Sequence, residues 1–313
     1  MKKMSILPLV GIAAVSALML AGCTSVTPTG ATTTSGKEVA GLTGVIGAKD
    51  FSEQYILAYL TSELLNAHGA KTTANIKLVG SANVRQALES DQFLGYWEYT
   101  GTSWVTYNKN TTPVKGTDAQ YAATKAADAK NGIAWLAPAP LNNTYAFAIR
   151  TAAAKKLGVT SMSDVAKLPA KDQTFCIESE FSTRDDGFPG LTKAYGITVP
   201  AANVSLLDTG VIYTETQKGT TCNFGEVFTT DGRIKALDLT VMTDDKQFFP
   251  SYQGAFTLKQ AQLDKNPGIA TVMALVSGKL TTAVMQGLNA QADVDGDDPK
   301  VIAHDWLKKQ GLI

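Results

Sequence analysis

A chain of 313 residues with 44% hydrophobic and 18% charged residues holds enough apolar material for one large domain or two modest lobes. Lys+Arg and Asp+Glu balance at 28 each, and no basic stripe runs along the chain, which speaks against nucleic acid as a partner. Two histidines and three scattered cysteines are too few ligands for a zinc cluster.

The chain opens with Met1-Lys2-Lys3, runs apolar from Ile6 to Leu20 and continues Leu20-Ala21-Gly22-Cys23. A charged start, a short apolar run and small residues before a cysteine read as an export signal. The run is shorter than the ~20 residues a membrane-spanning helix needs. The last four residues resemble the bacterial lipobox, which implies cleavage before Cys23, a lipid on its sulfur, and a mature chain anchored on the extracytoplasmic face of the cell membrane. Residues 1–22 are thus expected to be the signal peptide. Residues 23–41, rich in Thr, Ser and Gly, are expected to form a flexible lipidated tether. Cys176 and Cys222 remain, and two cysteines in an exported chain favour a disulfide over free thiols.

Beyond the tether, short apolar runs alternate with helical patterns. Thr43 to Gly47 reads as a strand, and Asp50-Phe51-Ser52-Glu53 as a capping box. The helix that follows places Ile56, Leu57, Leu60, Leu64 and Leu65 on one face. Strands are predicted at 74–79, 93–96 and 133–136, with helices at 81–90 and 117–130. The middle section repeats the theme, with strands at 174–177, 204–207, 225–228 and 237–242 around helices at 187–195 and 210–218. Past Gly254 the pattern turns mostly helical, at 267–276, 279–292 and 299–310. Asp298 is the expected N-cap of the last helix, with Pro299 at its first position. Strand–helix alternation argues for an α/β protein with mostly parallel sheets flanked by helices. The terminal helices have no sheet of their own and are expected to pack back on the first lobe. That gives a discontinuous first lobe (42–148 plus 255–313), a second lobe (149–254) and a ligand cleft between them.

Four aromatic segments lie at strand ends rather than in strand cores. They are Tyr96-Trp97-Glu98-Tyr99-Thr100-Gly101-Thr102, Asn142-Asn143-Thr144-Tyr145, Val227-Phe228-Thr229-Thr230-Asp231-Gly232-Arg233 and Phe248-Phe249-Pro250-Ser251-Tyr252. Together with Gly47-Ala48-Lys49-Asp50-Phe51-Ser52-Glu53-Gln54 and Arg184-Asp185-Asp186-Gly187-Phe188-Pro189-Gly190-Leu191, they resemble segments of the substrate-binding proteins of ABC transporters for glycine betaine, carnitine and choline. The match follows the family's order over nearly the whole mature chain. It implies a two-lobed periplasmic-binding-protein fold of the second topological type and a cage for a trimethylammonium group made of Tyr99, Tyr145, Phe228 and Tyr252. It further implies that Lys49, Thr102 and Arg184 hold a ligand carboxylate and that a permease is the partner. Members of the family often carry Tyr where Phe228 stands and Pro where Trp97 stands.

The chemistry agrees. A quaternary ammonium has no N–H to donate, so ring faces offering π-electron density and apolar contact suit it better than hydrogen-bond acceptors. No cofactor or metal is expected: around Asp293, Asp295, Asp297 and Asp298 the glycine and glutamate of a calcium loop are misplaced, and these residues read as helix caps. Asp185 and Asp186 likewise read as caps of the helix after Gly187, and Trp104, Trp135 and Trp306 as packing residues. An amino-acid receptor of the same fold is the alternative. An exported hydrolase using Cys176 or Cys222 is less favoured, because no nucleophile elbow or zinc motif accompanies them.

Overall fold

Among the described residues, ten short strands form two sheets of the same plan. In the computed structural model the described residues are 36–313; Cys23, the signal and most of the expected tether lie outside them. The strands are β1 (Thr43–Gly47), β2 (Lys71–Asn75), β3 (Gly95–Tyr99), β4 (Ile133–Trp135), β5 (Tyr145–Arg150), β6 (Phe175–Ile177), β7 (Val204–Leu206), β8 (Phe224–Phe228), β9 (Leu239–Val241) and β10 (Gly254–Lys259). The first sheet runs β2-β1-β3-β10-β4 and the second β7-β6-β8-β5-β9.

In each sheet a single strand runs against the rest, β10 in the first and β5 in the second. The reason is topological. The other strands run toward the cleft, whereas β5 and β10 arrive directly from the other lobe and therefore begin there. The two crossing segments pair with each other through an Asn142–Gln253 bridge. Asn142 Oδ1 accepts from the Tyr252 N–H at 2.7 Å, and Tyr252 O accepts from the Asn143 N–H at 3.1 Å.

The long helix Ser52–Ala67 buries the predicted face: Ile56, Leu57, Leu60, Leu64 and Leu65 are fully enclosed. Each such side chain contributes roughly 1.5–3 kcal/mol of transfer free energy. Its partners are the C-terminal helices Gly268–Ser277, Thr282–Ala290 and Pro299–Lys309, which supply Ile269, Val272, Met273, Met285 and Leu307 to the same core. The C-terminal set thus returns to the first lobe. Asp298 caps the last helix by accepting from the Lys300 N–H.

Several expectations are corrected. Gly254–Lys259 is a strand, not the start of a helical region; it is buried on both faces, so no alternation marks it. The second strand is Lys71–Asn75 rather than 74–79, a polar edge strand without an apolar signal. The first crossing precedes Tyr145, because β5 belongs wholly to the second sheet, and the first lobe resumes at Gly254, which pairs with Tyr99. The expected tether ends too late at residue 41: Val39 is buried and its N–H donates to His68 O. The capping box is absent. Phe51 is the N-cap residue, Asp50 accepts from the Gly80 N–H, and Glu53 turns inward. Asp185 and Asp186 do not cap the helix Phe188–Tyr195, whose N-cap is Gly187 with no side-chain bond.

Cys176 of β6 and Cys222, just before the neighbouring β8, form a disulfide with Cα atoms 5.7 Å apart. It closes a loop with a sequence separation of 46 in the second lobe. Replacing both cysteines by serine is expected to lower stability by roughly 2–5 kcal/mol. Urea melts of the variant against the oxidised parent measure this, and equal midpoints would show that the bridge contributes nothing.

Candidate functional site

The strand plan brings the aromatic segments to one place. Tyr99 ends β3, Phe228 ends β8, Tyr145 begins β5 and Tyr252 lies two residues before β10. Tyr145 and Phe228 face each other in sheet register. Their ring centroids are 5.2 Å apart, and Tyr252 meets Tyr145 edge-on at 5.2 Å. Phe51, from the first lobe, stacks on Phe228 of the second at 5.4 Å and on Tyr99 at 6.3 Å. The five rings therefore form a continuous series across the cleft. Gly101 is required beside it, since a Cβ there would lie 2.7 Å from the Tyr252 ring.

Carboxylates fix the phenols. Tyr99 donates to Glu53 Oε1 at 2.6 Å and Tyr252 donates to Asp186 Oδ2 at 2.7 Å. Burial pushes the Tyr99, Tyr145 and Tyr252 hydroxyls well above the usual phenol range, so they stay protonated. Glu53 is a junction of both lobes. It also accepts from Asn143 Nδ2 at 3.0 Å and Asn289 Nδ2 at 2.9 Å, while Asn143 Oδ1 accepts from Thr230 of the second lobe. Burial raises the Glu53 carboxyl above its ordinary range, and these donors oppose that shift.

The three residues expected at a ligand carboxylate have different surroundings. Thr102 is buried and lines the cleft cavity. Lys49 also lines it, but its Nζ is 2.6 Å from the buried Glu98 and 5.1 Å from the Tyr99 ring centroid. Arg184 is 8% exposed and lies behind Tyr145, with its Cζ 5.7 Å from that ring. Its guanidinium donates to both oxygens of Asp186 and to Glu180 Oε1. The resemblance identified the rings; it did not reveal the acidic partners that hold the cations.

A cavity of about 560 Å³ is lined by Phe51, Tyr99, Tyr145, Phe228, Tyr252 and Lys49, among others. A second, of about 700 Å³, opens on the other side of Tyr145 against Phe248, Phe249 and Pro113, away from the remaining rings. Among the described residues no cluster of His, Cys, Asp and Glu is arranged to hold a metal. Asp293, read as a cap, instead accepts from the Ser52 hydroxyl at 2.6 Å and lies 3.6 Å from Arg233 of the second lobe.

Sequence reasoning missed Phe51, Glu53 and Asn143, although all three stand inside segments it singled out. Phe51 and Tyr55, four residues apart and both on the cavity wall, offered the available signal. Glu53 looked like a capping residue and gave none.

The family model for the substrate binding domain of ABC-type glycine betaine transport systems matches residues 44–309. The chain belongs to this family. A glycine-betaine-binding protein of Pseudomonas aeruginosa is 36% identical over 276 residues, 86% of this chain and 88% of the relative. The ergothioneine transport permease/ergothioneine binding protein EgtU of Helicobacter pylori is 34% identical over 269 residues, 86% of this chain and 48% of that longer protein. A solved glycine betaine/carnitine/choline ABC transporter protein superposes with a TM-score of 0.71 at 31% identity, over 86% of this chain and 99% of that one. The binding domain thus has the two-lobed periplasmic-binding-protein fold, and its relatives are binding proteins rather than enzymes.

Replacing Glu53 by Ala strands the Tyr99 hydroxyl and two asparagine amides in the interior, at about 1–3 kcal/mol for each unpaired group. The expected loss is about 3 kcal/mol or more in a denaturant melt, with Glu53→Gln costing less. A loss below 1 kcal/mol would remove Glu53 as the junction of the lobes.

Proposed function

We propose that this chain is the extracytoplasmic receptor of an ABC importer and that it captures a quaternary-ammonium solute of the glycine betaine type between its lobes. The observation that carries this reading is the convergence of Phe51, Tyr99, Tyr145, Phe228 and Tyr252 on one cavity with no metal-binding cluster beside them among the described residues. The names of the Pseudomonas aeruginosa relative and of the 31% identical solved structure support the same ligand class.

Each ring that presents its face to the cation contributes about 0.5–2 kcal/mol, and the contributions do not simply add. A ligand carboxylate would be held by Thr102 and Lys49 on the cavity wall. Arg184 would join them only by exchanging one of its present carboxylate partners. Such charge-assisted bonds are worth about 1.5–3 kcal/mol each, and a net near −8 kcal/mol corresponds to micromolar affinity. Closure is favoured by contacts that span the cleft: the Phe51–Phe228 stack, Glu180 Oε2 accepting from the Ser81 N–H, and Gln286 donating to Thr229 O. The closed form would be the one that the permease recognises. A lipid on Cys23 would keep the receptor at the membrane surface.

Calorimetric titration with glycine betaine, proline betaine, carnitine and choline tests the reading. Binding of at least one is expected, with a tenfold or greater loss in Tyr99→Ala and in Phe228→Ala. Absence of heat and of thermal stabilisation with all four would end the quaternary-ammonium assignment.

A further inference from the structure

Away from the rings, the cavity wall becomes acidic. Asp50, Glu178, Glu180 and Asp208 line it, and among the described residues Lys49 is its one cationic residue. Lys49 is already neutralised by Glu98, and Glu180 is bound to Arg184. Asp50, Glu178 and Asp208 have no cationic partner within ion-pair distance among the described residues. They come from separate segments: Asp50 follows β1, Glu178 follows β6, and Asp208 precedes the helix Thr209–Lys218. Behind them, Glu226 of β8 is 2% exposed; its Oε2 accepts from the Glu178 N–H at 2.8 Å, and its Oε1 is buried without a hydrogen-bond partner.

We propose that this half of the cleft is a second subsite, which takes a protonated amine carried by the same ligand whose trimethylammonium group occupies the rings; the proposal rests on the cage reading above. Size agrees. A four-atom trimethylammonium head needs about four water volumes, roughly 120 Å³ at about 30 Å³ each. The cavity of about 560 Å³ leaves most of its volume for the rest of a larger ligand. Charge agrees as well, because a cleft lined by one sign focuses its field and raises the local concentration of opposite charge.

The wall is also poised to exchange a proton for that cation. Burial pushes the Glu178 carboxyl up to about 8, reinforced by Glu180 from its own loop, Asp50 from the β1 loop and Asp208 from the helix start. Arg233 pulls the other way, but it is engaged with Asp231 and Asp293. Glu226 from β8 is raised by the same burial and by Glu178, so the two titrate as a pair. Thr209 donates its hydroxyl to Glu178 Oε1. Below pH 8 the pair therefore retains a proton, which an arriving cation displaces. Affinity for a ligand with a second positive charge must rise as the pH approaches 8, since less proton then has to leave.

The test compares two probes on protein purified from the full-length chain. Tetramethylammonium reads the rings alone, and (3-aminopropyl)trimethylammonium reads the rings and the acidic wall together. By calorimetry at pH 8 the dication is expected to bind at least tenfold tighter than tetramethylammonium, with the ratio shrinking at pH 6. Glu178→Gln should bring the ratio toward one. Asp208→Asn, at an exposed position with no folding risk, should reduce it about threefold. Equal affinities for the two probes at both pH values would overturn the subsite and leave the cage standing. Failure of tetramethylammonium to bind at all would overturn the cage, and the subsite with it.

Discussion

The paired crossing of the chain between its lobes is the constraint on which the site depends. Because Asn142–Thr144 and Ser251–Gln253 run side by side, β5 and β10 must begin at the cleft, while β3 and β8 end there. One aromatic residue at each of those four positions is then enough to line the cleft. Sheet register makes Tyr145 and Phe228 neighbours and brings their rings into contact. Ligands of open α/β sheets bind at the carboxyl ends of strands for a related reason: loops and helix starts converge there.

The second feature is how the interior handles charge. Lys49, Arg184 and Arg233 are each buried or half-buried, and each is paired with a carboxylate: Glu98, Asp186 and Asp231. Leaving any of them unpaired would cost several kcal/mol. Acids orient two of the rings as well: Glu53 holds Tyr99, and Asp186, the partner of Arg184, holds Tyr252. Hydrogen bonds from a phenol to a carboxylate are directional, so these two rings are held in fixed orientations at the cleft. Among the described residues Asp50, Glu178 and Asp208 have no cationic partner within ion-pair distance, which leaves that end of the cleft electrically unbalanced.

Much of this was legible from residues alone. The helix Ser52–Ala67 advertised its buried face by spacing, and the last helix by Asp298-Pro299. That four aromatic segments would meet at the cleft was legible because they stood at strand ends, beside glycines and hydroxyls, in the order that the family resemblance implies. β2 and β10 were not, for opposite reasons: one is a polar edge strand, and the other is enclosed on both faces. Glu53 was misread because a glutamate at a helix start has an ordinary local explanation, and only packing could show it pointing inward.

Local order is what the sequence determined by itself: where most helices and strands fall, β2 and β10 apart, which face of a helix is apolar, which aromatics stand at strand ends, and that two cysteines were available for a bridge. Tertiary structure alone decided which groups meet. The partner of each buried cation, the fifth ring at Phe51, the junction at Glu53 and the unpaired acids around Glu178 join residues from segments far apart in the chain. The physical reason is that periodicity records only which side of an element avoids water, whereas pairing and desolvation depend on distances set after the elements have packed.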